Sequence, residues 1–150
     1  MRAVADVRRY PRSRANPQFN GEALGTVLPA AGIGYAQHER LGGRRSATRA
    51  DSPNAAWTHP AFRAYADYMM EDEFWEALDA MLRDARQDPT AVMCSETLWW
   101  RCHRRLIADA ATARGFRVFH IMRPGIVAAH VLSAHSHVVG DRVSYTATSS

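Results

Sequence analysis

The stretch from Ala91 to Ile121, AVMCSETLWWRCHRRLIADAATARGFRVFHI, constrains the fold more than any other part of the chain. Ala91-Val92-Met93 is a short apolar run of the kind that forms a buried strand. Cys94 stands at its end, and Ser95 to Trp100 reads as a turn. A helix is predicted to start around Cys102, His103 and Arg104, run to Arg114 and stop at Gly115, because glycine commonly terminates helices. Phe116 to Ile121 then resumes as a strand. Strand, helix and strand in that order predict a parallel crossover unit. In parallel sheets, ligands bind beyond the carboxyl ends of the strands, beside helix N-termini. A thiol, an imidazole and a guanidinium fall together at that place.

The rest of the chain supplies partners for this unit. Ala3 to Val7 is a second buried strand, apolar except for Asp6, and a basic loop with Arg8, Arg9, Arg12 and Arg14 follows it. Asn16-Pro17 is a turn signal. Asn20 is placed to cap a helix carrying Leu24, Val27 and Leu28, with Glu22 in its first turn and Pro29 and Gly32 ending it. Ile33 to Gln37 gives another short strand, and His38 to Asn54 reads as loop. Apolar residues from Ala61 to Arg86 recur at helical spacing, with a bend near Met70 and a second helix started by Glu71, Asp72 and Glu73. Arg123-Pro124-Gly125 is a turn. Gly140-Asp141 is another, before a short strand over Val143 to Thr146. The predicted fold is α/β: a single three-layer domain over residues 1–150, with a small, mainly parallel sheet flanked by helices.

At 150 residues the chain is long enough for one domain with a real core. Its 47% hydrophobic and 23% charged residues are ordinary for a soluble protein. All 19 basic residues are arginine, and the net charge is +4. That balance favours an anionic partner, and arginine suits fork-shaped contacts with phosphate or carboxylate; codon usage in a GC-rich genome is the competing reason for so many arginines. Two cysteines do not make a disulfide framework, which points to a reducing cytoplasm. No apolar run approaches the roughly 20 residues of a membrane span, and the basic N-terminus lacks the apolar core of a signal peptide. No pattern points to a particular cofactor or oligomeric state.

Cys102 heads the candidate chemistry. A thiol near a helix N-terminus, among arginines and beside His103, has its thiolate favoured and is a candidate nucleophile. The alternative is a small buried residue filling the gap between helix and sheet. Cys94 lies eight positions earlier, so the two thiols are candidates for a redox or resolving pair. A metal shared by Cys94, Cys102 and His103 or His120 is weaker, because the close cysteine pairs of most zinc sites are absent; no metal ligand is assigned. Glu96 and His103 are candidate proton carriers. Asp6 and Arg8 end the neighbouring strand and reach the same rim, where Asp6 either orients a site residue or simply pairs with Arg8. Arg8, Arg12, Arg14, Arg44 and Arg104 are candidates to hold an anion. Gly42 and Gly43 are candidates to let backbone amides approach it. His120 reads as a hydrogen-bonded core residue.

Several of these segments, in the same order, resemble one family. They are Asp6-Val7-Arg8, Pro11-Arg12-Ser13-Arg14, Asn16-Pro17, Phe19-Asn20, Leu41-Gly42-Gly43-Arg44, Phe62 to Met69, Met93-Cys94-Ser95-Glu96, Cys102-His103-Arg104, Leu106-Ile107-Ala108-Asp109 and Val118-Phe119-His120-Ile121. Together they are similar to the family called domain of unknown function 488 (DUF488). The resemblance implies a bacterial or archaeal cytosolic α/β domain and no defined reaction. Members usually open with a further strand carrying a Thr-Ile-Gly-His-Ser type motif, followed by a helix. This chain begins at the later strand and so resembles an N-terminally shortened member.

The functional expectation is a cysteine-dependent enzyme acting on a phosphate-bearing ligand, nucleotide or nucleic acid, at the sheet rim. One alternative is a non-catalytic nucleic-acid-binding module with structural cysteines. Another is a metal-binding protein.

Overall fold

The computed structural model of the chain describes residues 1–12, 15–43, 51–96 and 98–146. Ala3–Asp6 (β1), Gly34–Gln37 (β2) and Thr90–Met93 (β3) form a parallel sheet in the order β2-β1-β3. The most buried of the three strands is the central one, as a strand paired on both edges and covered by other elements should be. Val4 pairs with Tyr35 on one side and Ala91 on the other. The ladder continues past the strand ends, where the Val7 amide donates to Met93 O at 2.9 Å and the His38 amide to Asp6 O at 2.8 Å. The carboxyl ends of all three strands therefore finish together, at Val7, His38 and Cys94.

Gly21–Ala30 (α1) returns the chain from β1 to β2, with Asn20 at its N-cap position and Glu22 in its first turn. It runs one residue beyond Pro29 instead of stopping there. A proline this close to the end costs only a ladder bond in the last turn. The change of direction falls instead on Gly32, whose φ of 80° suits glycine.

The helical pattern beyond residue 60 resolves into Pro60–Tyr68 (α2) and Asp72–Ala85 (α3), with the expected bend between them. Trp75 Nε1 donates to Met69 O at 2.7 Å and closes that bend. Phe74, Trp75, Leu78, Met81 and Leu82 share one face of α3 and are all buried. Arg104–Ala113 (α4) contributes Leu106, Ile107, Ala110 and Ala111 to the same core. The Tyr65 and Tyr68 hydroxyls donate to Leu41 O and Arg40 O, both at 2.7 Å, and tie the loop after β2 to α2. No helix among the described residues is long and apolar enough to cross a membrane.

The strand after α4 corrects the expected crossover. Phe119–Arg123 (β4) does not join the parallel sheet; it pairs antiparallel with Ile126–Ala129 (β5). Pro124-Gly125, with φ of 79° at the glycine, makes the turn between them. A partner this near in sequence closes at much lower chain entropy than one reached across the molecule. His137–Val139 (β6) and Arg142–Ser144 (β7) make a second hairpin about Gly140-Asp141, so the expected last strand begins one residue early.

A buried carboxylate fastens these hairpins to α4. Asp109 is fully buried and accepts from His130 Nε2 at 2.7 Å, the Ser133 amide at 3.0 Å and the Tyr145 hydroxyl at 2.7 Å.

Candidate active site

Cys94 follows the end of β3, and Cys102 follows a short 3-10 turn, Trp99–Arg101, just before α4. The loop between them folds back so that the two sulfurs lie 2.7 Å apart. Both thiols are free. Cys102 is 5% exposed, whereas Cys94 is only half-buried.

His103 links this pair to the central strand. Its Nε2 lies 3.1 Å from Val7 O. A carbonyl only accepts, so this nitrogen carries the proton and Nδ1 is left with the lone pair. Nδ1 lies 3.5 Å from Cys102 Sγ. The imidazole is thus oriented to take a proton from the thiol by a strand residue distant in sequence.

Backbone amides complete the sulfur surroundings. The Arg104 amide, at the start of α4, donates to Cys102 Sγ at 3.4 Å, and the Glu96 amide donates to Cys94 Sγ at 3.2 Å. The hydrogen bond from Cys94 pulls the Cys102 thiol well below its ordinary range. Burial opposes this, and His103 and the Arg104 amide reinforce it. The Cys94 thiol is pushed up, by its bond to Cys102 and then by burial. Two sulfurs this close do not both carry charge readily, so their two ionisations belong to the pair, with Cys102 favoured as the thiolate.

The remaining expected residues divide. Glu96 sits in the same loop, but its carboxylate accepts from the Leu98 amide at 3.1 Å and its carbonyl accepts from the Arg104 guanidinium. Both contacts hold the loop closed. Asp6 and Arg8 lie at the end of β1 and bond to each other instead of to the thiols. Arg8 Nε and Nη2 donate to the two Asp6 oxygens at 2.9 and 2.7 Å, and Nη2 also reaches Phe19 O at 2.7 Å. Tyr35 donates to Asp6 at 2.6 Å. Burial pushes the Asp6 carboxyl up, but the bonds from Arg8 and Tyr35 outweigh it and leave the group below its usual value. Burial and Asp6 push the Tyr35 phenol up to about 12. Arg12 is exposed on the loop beyond β1. Arg14 and Arg44 lie outside the described residues.

The glycine pair serves close packing. A Cβ at Gly42 would come within 2.7 Å of Arg9 Cβ and 2.8 Å of its backbone, and one at Gly43 within 2.8 Å of His103 Nδ1. Gly43 therefore lets the loop lie against the imidazole. Gly43→Ala is expected to displace His103, at a stability cost of about 1–3 kcal/mol. Cys102 should then titrate part of the way back toward about 8.5, visible as a shift in thiolate absorbance against pH.

Cys94, Cys102 and His103 also present three metal-type donor atoms within 4.8 Å of one another. A second set of residues, Trp99, His120, His130 and Tyr145, gathers around Asp109; of these the sequence singles out only His120, as a core residue or an alternative metal ligand. Its sequence signal is weak: histidines spread along the C-terminal third, with no motif spacing and no nearby acidic partner in the chain.

Residues 1–111 match a family model described as a domain of unknown function, DUF488. No curated protein and no solved structure matches the chain.

Proposed function

The chain belongs to the DUF488 family, a membership that brings no reaction with it, and from the geometry of its sheet rim we propose a cysteine-dependent redox enzyme that exchanges thiols for disulfides. The observation that carries this reading is the 2.7 Å approach of two free sulfurs, with an imidazole lone pair and a helix N-terminal amide on the inner one. We place the substrate-facing role on Cys94, because Cys102 is nearly sealed. As Cys94 attacks one sulfur of a substrate disulfide, its proton moves across the short contact to Cys102. The substrate S–S bond breaks, one substrate thiolate leaves and takes a proton from solvent, and a mixed disulfide remains. Cys102 then gives its proton to His103 and attacks Cys94 Sγ, releasing the second substrate thiolate, which takes up that proton. Overall, two protein thiols are oxidised to one disulfide, and one substrate disulfide is reduced to two thiols.

A phosphate on the substrate would rest mainly on Arg12, since Arg8 is committed to Asp6 and Phe19 O. A second reading, zinc held by Cys94, Cys102 and His103, is favoured by the donor cluster. Two thiolates on one tetrahedral zinc, each at about 2.3 Å, sit about 3.8 Å apart. The sulfurs here are closer than that, which favours the redox reading.

The test is single-turnover reaction of the reduced protein with oxidised glutathione. The expected result is two equivalents of glutathione and a Cys94–Cys102 disulfide found by mass spectrometry, with Cys102→Ser stopping at the mixed disulfide on Cys94. A protein that releases no glutathione, but binds one zinc tightly through both thiols, would establish the metal reading instead.

A further inference from the structure

A cavity of about 450 Å³ lies between β3, α3, α4 and the start of β4, with Trp99 and Arg104, from either side of Cys102, in its lining. Its walls are apolar, with Met81 and Leu82 from α3, Val92 from β3, Ile107 from α4 and Val118 before β4. This size and lining are those of small-molecule pockets, in which a few polar groups fix the ligand's orientation.

Its polar lining includes Trp99, His120 and Arg104, along with Thr90 and Arg117. His120 stacks flat on Trp99, with ring centroids 3.7 Å apart and planes 5° from parallel. Behind His120 runs a relay: His120 Nε2 lies 2.7 Å from His130 Nδ1, and His130 Nε2 lies 2.7 Å from Asp109 Oδ1. The relay fixes the tautomers. The Asp109 carboxylate accepts, so His130 donates from Nε2 and accepts at Nδ1, and His120 must donate from Nε2. His120 Nδ1 is left as a lone pair. Burial first, then the charges of His130 and Arg104, hold the His120 pKa down at about 4, which favours the neutral ring. Arg104 Nε is buried with no hydrogen-bond partner among the described residues. Arg104, whose Nε lacks a partner among those residues, and His120, whose Nδ1 carries a lone pair, therefore both line a largely apolar cavity, where a ligand's polar group has a cation and a base to meet.

We propose that this cavity is a binding site for a small apolar carboxylic acid, its chain along the Met81–Ile107 wall and its head group between Arg104 and His120. One carboxyl oxygen faces the Arg104 guanidinium. The other shares with His120 Nδ1 one proton, taken up from solvent when the anion binds, and Asp109 stabilises the resulting charge through His130. An alcohol of equal length satisfies at most one of these groups and has no charge to offer the guanidinium.

The test uses octanoate, with octanol as the uncharged control, titrated calorimetrically into the full chain. Octanoate is expected to bind at least about tenfold more tightly than octanol and to shift the His120 ring resonances, which octanol leaves in place. Ala111→Phe, which fills the cavity, and His120→Phe, which keeps the stack on Trp99 but removes the lone pair, should each weaken octanoate at least about tenfold. Cys94→Ser should bind octanoate as the parent does, which separates this site from the dithiol. Octanoate binding no better than octanol, or leaving the His120 resonances unmoved in the parent protein, would overturn the proposal even if both variants failed to fold.

Discussion

Asp6→Ala is expected to cost about 3–5 kcal/mol of folding stability, which lowers the melting temperature of a chain this size by roughly 6–20 °C. Asp6 is fully buried and Arg8 nearly so. Removing the carboxylate leaves a buried guanidinium and the Tyr35 hydroxyl without their shared acceptor. The damage should also reach function, because Val7, the next residue, orients His103 through its carbonyl. The same pair sets an acid limit. The folded pKa of Asp6 lies below its unfolded value, so the stabilisation is fully present above about pH 4 and is lost as pH falls through the folded value. Stability measured against pH should therefore fall more steeply on the acid side in the parent protein than in Asp6→Ala.

Asp109→Ala should be comparably severe. It strands the His130 imidazole, the Ser133 amide and the Tyr145 hydroxyl at once, and each unmet buried donor costs about 1–3 kcal/mol. The loss should also be uneven across the molecule. Asp109 is where β4 to β7 attach to α4, so hydrogen exchange should accelerate first in the two hairpins, while β1 and β3 keep their protection. Uniform acceleration across sheet and hairpins would show that the hairpins are not separately fastened.

The contrast between these two carboxylates explains how much was legible in the sequence. Asp6 and Arg8 lie two residues apart, at the end of an apolar run, so their pairing and their place at the rim follow from local pattern. The bend near Met70 and the stop at Gly115 were equally local. Cys94 and Cys102 flank one loop, and the strand and helix on either side leave few places for the two sulfurs except near each other. Asp109, His130 and Tyr145 meet only because two hairpins fold back on α4, and no periodicity encodes that. The expected parallel strand failed for a related reason: the run at 116–121 has strand pattern, but pattern does not choose the partner, and the Pro124-Gly125 turn supplied a nearer one. Composition alone makes Gly42 and Gly43 candidates for an anion cradle. Their tight approach to Arg9 and His103 depends on tertiary packing that composition does not contain.

The dithiol centre is tested most directly by following thiolate absorbance against pH in the reduced protein, alongside Cys94→Ala and Cys102→Ser. One thiolate per chain is expected at neutral pH, lost on acidification, with the second appearing only in strong alkali. Cys102→Ser should abolish the neutral-pH thiolate, and Cys94→Ala should move it upward by removing the bond that stabilises it. Two thiols ionising together near about 8.5, unchanged by either substitution, would contradict a shared-proton pair at the rim.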